Sequence, residues 1–192
     1  MPNDRALAAA EEFNRFAERT GAPSRCDPTL AFAAPALSKA LLLWREKAGE
    51  RDMPSRSDFS ARTLKAHLPH VAIVDAVDEG PGRRYRFRLM GTAIAGLLGD
   101  HTGKFIDEAV VSPFRERWTA VMDGPLAAGA PLRIFGRVDY NNMNFLAMEL
   151  LLAPLRDDGA ESILIVTSAR AADLNAFKPL ARDKVSAVYR GT

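Results

Sequence analysis

The first quarter of the chain shows two runs of apolar residues at helical spacing. In residues 4–19 the apolar positions recur every three or four residues, and charged residues occupy the rest of the turn. Gly21 and Pro23 are expected to end this helix. A loop rich in proline and small residues leads to a second run at about residues 35–48, where Leu37, Leu41 and Trp44 share one face. The pattern therefore predicts two amphipathic helices at the start of the chain.

The pattern then changes to one typical of strands. Ser60 is expected to cap a short helix that Pro69 ends, and a β-branched apolar run follows at 71–77. A glycine-containing turn at 80–82 connects that run to 84–90, which predicts a hairpin. Because side chains alternate along a strand, we expect the apolar and basic residues of 84–90 to point to opposite faces. One face takes Tyr85, Phe87 and Leu89, and the other takes Arg84, Arg86 and Arg88.

Short helices precede a second group of predicted strands. Thr92 is expected to cap a helix at 93–98, which Gly99 ends, and Gly103 allows the next bend. Proline at the first helical position predicts a longer helix at 113–122, interrupted by Gly124-Pro125. Strands follow at 132–140, 143–155 and 162–168, with a two-residue turn at Asn141-Asn142 between the first two. Five predicted strands together with several helices indicate the α+β class.

Length and composition limit the organisation and the cellular setting. The 192 residues, 47% of them apolar, fit one domain with an extension. We expect an N-terminal helical extension for capping or dimerisation at 1–50, the main domain at 51–170 and a polar tail at 171–192. A net charge of +2 gives no global attraction to nucleic acid or an anionic membrane. One cysteine, no basic leader and no apolar run of spanning length predict a cytoplasmic protein.

A set of spaced residues carries a family resemblance. Its motifs occupy residues 44–108 and include Pro54, Leu68-Pro69 and Thr102, together with residues expected to have structural roles: Trp44, Arg56, Asp58, Asp75, Arg88, Gly91, Thr92, Gly99 and Gly103. They resemble a divergent PAS family found mainly in proteobacteria, often as stand-alone proteins; up to residue 169 only the strand order agrees. The resemblance implies a sensory or regulatory domain of the α+β class, in which a five-stranded antiparallel sheet with flanking helices encloses a small pocket. Members often carry a proline shortly after the Arg-x-Asp element, where this chain has Ser60, Ala61 and Arg62.

The residue types provide little support for a metal or prosthetic group. His67 and His70 are separated by a proline, and no second cluster supplies the four ligands of a usual zinc site. Haem-binding PAS domains take a histidine from the long helix, and residues 113–122 contain none; His101 in the preceding loop would be a distant substitute. The cysteine motif of light-sensing flavin PAS domains is also absent from the sequence. Neither metal, haem nor flavin is expected, whereas a small organic ligand stays open.

Two other function classes are alternatives to a sensor: a nucleic-acid-binding protein and an enzyme. The RRYRFR run suggests nucleic-acid binding, but alternation would bury its aromatic residues and leave its arginines for salt bridges with Asp75 or Glu149, so such binding is not expected. No Ser-His-Asp or Cys-His set is readable, and the pairs Asp107-Glu108 and Asp157-Asp158 are adjacent residues that cannot face each other across a substrate. A small-molecule enzyme on a helix-covered curved sheet and a protein-interaction module with a solid core stay as alternatives.

The favoured hypothesis is a non-catalytic module for bacterial signalling that binds a small ligand or a protein partner. Ten residues are candidates for lining the pocket, or for filling a plain core: Tyr85, Phe87, Leu89, Phe105, Phe114, Trp118, Met122, Ile134, Val138 and Met148. Residues 144–153 are apolar on both sides, so we expect Leu37, Leu41 and Trp44 to cover the second side of the sheet. A homodimer is expected through the N-terminal helices or a sheet face, with the helix of Phe13 and Phe16 as a candidate contact.

Overall fold

The computed structural model describes residues 2–79, 82–110, 112, 114–138 and 146–171. The helices are α1 Asp4–Thr20, α2 Pro35–Ala48, α3 Thr92–Leu98, α4 Ile106–Ala109 and α5 Phe114–Ala128. The strands are β1 Ser24–Asp27, β2 Val71–Glu79, β3 Gly82–Met90, β4 Leu132–Arg137, β5 Leu146–Asp157 and β6 Ala160–Ala171. Short 3₁₀ helices lie at Arg56–Asp58 and Leu68–His70. The predicted Asn141-Asn142 turn and residues 172–192 of the predicted tail lie outside the described residues.

All six strands form one antiparallel sheet in the order β1-β4-β5-β6-β2-β3. The predicted α+β class and antiparallel sheet with flanking helices are confirmed. The strand count differs from the expected five, because Ser24–Asp27 pairs with the outer edge of β4. The sequence SRCD has neither the length nor the alternation that marks a strand, so tertiary pairing determines its conformation.

Helices cover both faces of the sheet. The first face packs with α1, α3, α4 and α5, and contains Ile163 and Ile165 of β6. The second face packs with α2 and contains Leu164 and Val166 of the same strand. Successive residues of β6 therefore bury on opposite faces, which explains the continuous apolar run in the sequence.

The predicted cover of the second face is confirmed. Leu37, Leu41 and Trp44 are all buried in the cluster that includes Leu164. The indole Nε1 of Trp44 also donates a hydrogen bond to the carbonyl oxygen of Pro154 in β5, at 2.9 Å. That bond satisfies the one polar atom of a buried side chain and fixes α2 to the sheet.

The N-terminal helix α1 packs within the same chain. Asn3 caps it by accepting a hydrogen bond from the Ala6 N–H at 2.7 Å, and Gly21 ends it with φ of 67°. Its buried residues include Phe13 and belong to the first-face cluster, where α1 lies against α5 and β1. Phe13 is therefore already covered in a single copy of the chain.

A β-bulge changes the face on which Leu89 lies. Ile73 pairs with Leu89 and Val74 with Phe87, so Arg88 is an extra residue in β3. Tyr85 and Phe87 are buried on the first face as expected, but Leu89 packs against the second-face cluster. The prediction that Leu89 points the same way as Phe87 is therefore wrong, because the extra residue shifts the alternation by one.

Two local predictions about helix ends also need correction. Pro125 does not interrupt α5, because Val121, Pro125 and Ala128 are all buried along one stripe and packing holds the helix through the proline. Thr92 is the first residue of α3 rather than its cap; the cap position is Gly91, and no side chain bonds there. Ser60 does accept a hydrogen bond from the Thr63 N–H at 3.2 Å, but residues 61–67 form turns instead of a helix.

Candidate functional site

A small cavity of about 30 Å³ lies on the first face of the sheet, between the sheet, α3 and α5. It is enclosed mainly by apolar side chains: Ala72, Phe87, Ile94, Leu97, Leu98, Trp118, Val138, Met148, Leu150, Ile165, Thr167 and Ala169. A space of this size holds one or two water-sized groups. The interior is therefore close to fully packed, and a larger guest requires one wall to move.

The structure brings four of the ten predicted pocket residues to this cavity: Phe87, Trp118, Val138 and Met148. Four others pack in the surrounding first-face core: Tyr85, Phe114, Met122 and Ile134. Leu89 lies on the second face, and Phe105 lies beside the edge strand β3, where the Arg84 guanidinium sits 3.8 Å from its ring centre. The lining residues that the sequence did not predict come from α3 and from alternate positions of β2, β5 and β6. Side chains two residues apart in a strand share a face, so the prediction of Met148 could have been extended to Leu150.

Aromatic rings form one wall of the cavity. The rings of Phe87 and Trp118 meet edge to face, with 6.2 Å between centres and 77° between planes. The His101 ring lies behind Phe87 at 6.3 Å, and its Nε2 is 3.0 Å from the Leu98 carbonyl oxygen. Its Nδ1 is buried without a hydrogen-bond partner among the described residues. A polar group therefore stands just outside an otherwise apolar site.

The short helix α3 covers the cavity and is held weakly. It has seven residues, no side-chain cap, and only half-buried Leu97 and Leu98 beside the buried Ile94. Gly91 fastens its start, because the Gly91 N–H donates to the Val71 carbonyl at 2.7 Å. A Cβ at Gly91 would lie only 2.1 Å from the Leu68 carbonyl oxygen, so no other residue fits this approach. The helix is thus anchored at its first turn and depends on apolar contact elsewhere.

The long helix α5 is tied to β3 by a polar contact near the cavity. The Tyr85 hydroxyl donates a short hydrogen bond to the Asp123 carboxylate. Burial and the neighbouring Asp123 carboxylate raise the pKa of Tyr85, so the phenol stays protonated and able to donate. This bond fixes the position of α5 relative to the sheet.

On the opposite side of β5, Glu149 holds the start of α2. Its carboxylate accepts hydrogen bonds from the backbone N–H groups of Ala33 and Ala34, each at 2.9 Å, and from Arg133 Nε at 2.6 Å. Arg133 also donates to Asp27 at 2.8 Å. Burial raises the pKa of Glu149, but the two N–H bonds and Arg133 outweigh it, and the net pKa lies below the usual value. Glu149 therefore anchors to β5 the backbone that leads into α2.

The arginine side chains of β3 form ion pairs with nearby carboxylates. Asp75 is buried and accepts bonds from Arg88 Nε at 2.8 and 3.0 Å and from the Ser162 hydroxyl at 3.1 Å, with Arg86 at 3.5 Å. The predicted salt bridges to Asp75 are confirmed, whereas Glu149 pairs with Arg133 instead.

The remaining motif residues and the adjacent acidic pairs make structural contacts. Asp58 forms a capping box with Ser55, and Arg56 lies 3.9 Å from Asp157. Asp107 and Glu108 both accept bonds from Arg84, which lowers the pKa of Asp107. Among the residues that the structure describes, no group of three or more His, Cys, Asp or Glu side chains is placed to hold a metal ion.

The antiparallel sheet, its flanking helices and the small apolar cavity place the chain among α+β domains that enclose a site in the core. The family model for the PAS domain matches residues 33–168, more than half of the chain, so the chain belongs to the PAS-domain family. PAS domains are in general sensory and regulatory modules. The search of curated proteins finds no match to this chain. Within the described ranges, no helix combines the length and apolar character needed to cross a membrane.

Proposed function

We propose that this PAS domain is a non-catalytic cytoplasmic signalling module that takes a small apolar molecule between α3, α5 and the sheet. One observation carries the proposal: the first face holds an apolar cavity covered by α3, a seven-residue helix with no side-chain cap. Displacement of the seven-residue α3 enlarges the cavity without breaking the sheet. The single cysteine supports a reducing, cytoplasmic setting.

The lining determines the chemical class of the guest. The Thr167 hydroxyl and the Trp118 indole N–H are the polar groups of the lining side chains, and no histidine or cysteine is included. A charged or strongly polar molecule would lose its hydration there without replacement hydrogen bonds. The proposal therefore involves a neutral, mainly hydrocarbon or aromatic molecule and neither haem nor flavin.

Strand β5 can transmit the effect of a bound guest from the first face of the sheet to the second. Met148 and Leu150 line the cavity, whereas Glu149 between them points to the opposite face and holds the start of α2. A guest that presses on Met148 and Leu150 shifts the strand that carries Glu149. We expect such a shift to change the docking of α2, which a signalling partner would read.

Benzene is a suitable probe, because a small apolar molecule enters dry apolar cavities. Methyl-labelled protein is titrated with benzene and followed by ¹H–¹³C NMR. We expect large shifts at first-face methyls such as Ile94 and Ile165 and smaller shifts at Leu37 of α2, because β5 transmits the change to the second face. The shifts should be larger for the cavity-enlarging Ile94→Ala. Ala72→Leu should abolish the shifts, whereas Ala76→Leu on the same strand, outside the lining, should keep them.

The small volume of the cavity favours a second candidate, a protein-interaction module with a solid core. The same titration separates the two functions. Unchanged methyl spectra at saturating benzene in both the wild type and Ile94→Ala would exclude the ligand-binding proposal and favour the interaction module. Native mass spectrometry of the purified protein would then be used to search for a bound partner instead of a small molecule.

A further inference from the structure

The N-terminal segment of residues 4–27, here called the arm, consists of α1 and β1 and lies ahead of the family match at 33–168. The five strands from β4 to β3 form a continuous sheet without it. The arm adds a sixth strand and covers part of α5 with a face made mostly of alanine: Ala6, Ala9, Ala10 and Ala17, with Phe13. It is an addition to the domain, with its own contacts.

The arm fits β4 specifically. Cys26 faces Ile134, and Asp27 faces Arg133, whose guanidinium binds the Asp27 carboxylate at 2.8 Å. At Gly136 a Cβ would stand 2.1 Å from the Pro23 carbonyl oxygen, so the absence of a side chain lets β1 approach. This strand of the main domain is therefore shaped to receive β1.

Asn14 closes the outer edge of the arm. Its side-chain oxygen accepts from the Cys26 N–H at 2.8 Å, and its amide nitrogen donates to the Cys26 carbonyl at 3.0 Å. Both backbone groups of Cys26 point away from β4, so Cys26 and Ile134 form a non-hydrogen-bonded pair with closely spaced Cα atoms. The arm thus holds together as a unit of helix and strand.

The connection between the arm and the domain is short, fixed at both ends and strained. Asp27 is held by Arg133 on one side, and Ala33 by Glu149 on the other. Between them Leu30 has φ of 60°, in the left-handed region that non-glycine residues seldom adopt. The Leu30 side chain is half-buried, so straightening the connection gives up limited apolar contact.

We propose that the arm exchanges between two copies of this chain, so that each arm seats on the β4 and α5 of the partner copy. The contacts of β1 are with β4, more than 100 residues later, and a second copy offers the same surface. Exchange therefore keeps these contacts and changes the connection alone. Straightening of the connection would release the backbone strain at Leu30. Short hinge loops under strain favour such swapping. This inference does not depend on the cavity or its ligand.

Disulfide trapping tests the exchange directly, because Cys26 is the single cysteine in the sequence. A tagged chain with Cys26→Ser and Ile134→Cys is co-expressed with the wild-type chain and oxidised with copper phenanthroline. The facing pair lies within disulfide range, but burial, with a smaller effect of Asp27, raises the pKa of Cys26 to about 12, so alkaline pH is needed. We expect a cross-linked heterodimer on a non-reducing gel that disappears on reduction. Leu30→Gly, which removes the strain, should lower its yield.

Two controls make every result decisive. A single chain carrying Cys26 and Ile134→Cys must form a disulfide, either within the chain or between two chains; a link exclusively within the chain, with no heterodimer in the mixture, overturns the proposal. Deletion of residues 29–31 prevents the arm from reaching its own β4. We expect that variant to sediment as a dimer, and a folded monomer would equally overturn the proposal.

Discussion

Replacement of Glu149 by glutamine tests the anchor that the Glu149 carboxylate provides for the backbone leading into α2. Glutamine keeps the shape of the side chain but replaces one carboxylate oxygen with an NH₂ group. The partners of Glu149 are the N–H groups of Ala33 and Ala34 and the Arg133 guanidinium, which are all donors. The NH₂ group of glutamine must therefore face another donor. Hydrogen bonds to a charged group contribute about 1.5–3 kcal/mol each, and breaking a buried ion pair costs about 3–5 kcal/mol. Because glutamine retains one acceptor, we expect Glu149→Gln to lower the free energy of unfolding by about 2–4 kcal/mol.

Urea denaturation monitored by tryptophan fluorescence measures this effect. The chain has two tryptophans, Trp44 on the second face and Trp118 beside the cavity, so Trp118→Phe leaves a reporter on α2 alone. Hydrogen exchange in that background should show faster exchange in α2 than in α1 when Glu149 is replaced. The matched control is Glu161→Gln, because the Glu161 carboxylate pairs with the side chains of Arg83 and Arg156 near the surface. Exposed pairs of that kind contribute at most about 1 kcal/mol.

The pH dependence provides an independent check. The folded-state pKa of Glu149 is lowered from the ordinary 4.5, so its stabilisation is present above that pH and is lost as pH falls through the lower folded pKa. The difference between wild type and Glu149→Gln should be constant from neutral pH down to about 5 and shrink below about 4.5. Equal unfolding free energies at pH 7, together with unchanged α2 exchange, would refute the role assigned to Glu149.

Three further predictions concern the core contacts. Gly91→Ala should cost at least about 3 kcal/mol in urea unfolding, because the added Cβ meets backbone atoms. Gly96→Ala inside α3 adds a Cβ that meets no atom within 4 Å and should be neutral or stabilising. Asp75→Asn should lower the free energy of unfolding by about 2–4 kcal/mol, because it leaves two arginines poorly paired. The control Asp78→Asn, at an exposed pair, should cost under about 1 kcal/mol. Equal effects of the two substitutions would contradict the buried pairing. Cys26, with its pKa raised to about 12 by burial, should react with iodoacetamide at pH 8 far more slowly when folded than in urea; equal rates would contradict its burial.

Periodicity in the sequence was sufficient to predict the elements that bury one clear stripe. The α2 helix and the hairpin of β2 and β3 are examples, because local spacing alone determines which side chains meet the core. Pro125 shows where the approach fails: the rule that proline ends helices was overridden by packing, which sequence spacing does not measure. The strand β1 was missed for the same reason, since its conformation depends on β4 and on Asn14.

The candidate site was predictable only in part. Phe87 and Trp118 were found because large aromatic residues at regular spacing mark a core. Leu89 was misplaced because a bulge of one residue leaves no trace in an alternating sequence. The role of Glu149 could not be inferred, because its partners Ala33 and Ala34 offer backbone groups, which every residue has.

The pairing of β1 with β4 also sets an order of events during synthesis. Cys26 emerges from the ribosome about 108 residues before Ile134, the residue it faces in the sheet. At translation rates of about 5–20 residues per second, the arm waits roughly 5–20 s for its partner strand. On a messenger carrying several ribosomes, neighbouring nascent chains expose their arms during the same interval. The spacing of these two strands in the gene thus determines how long the first remains available to other molecules.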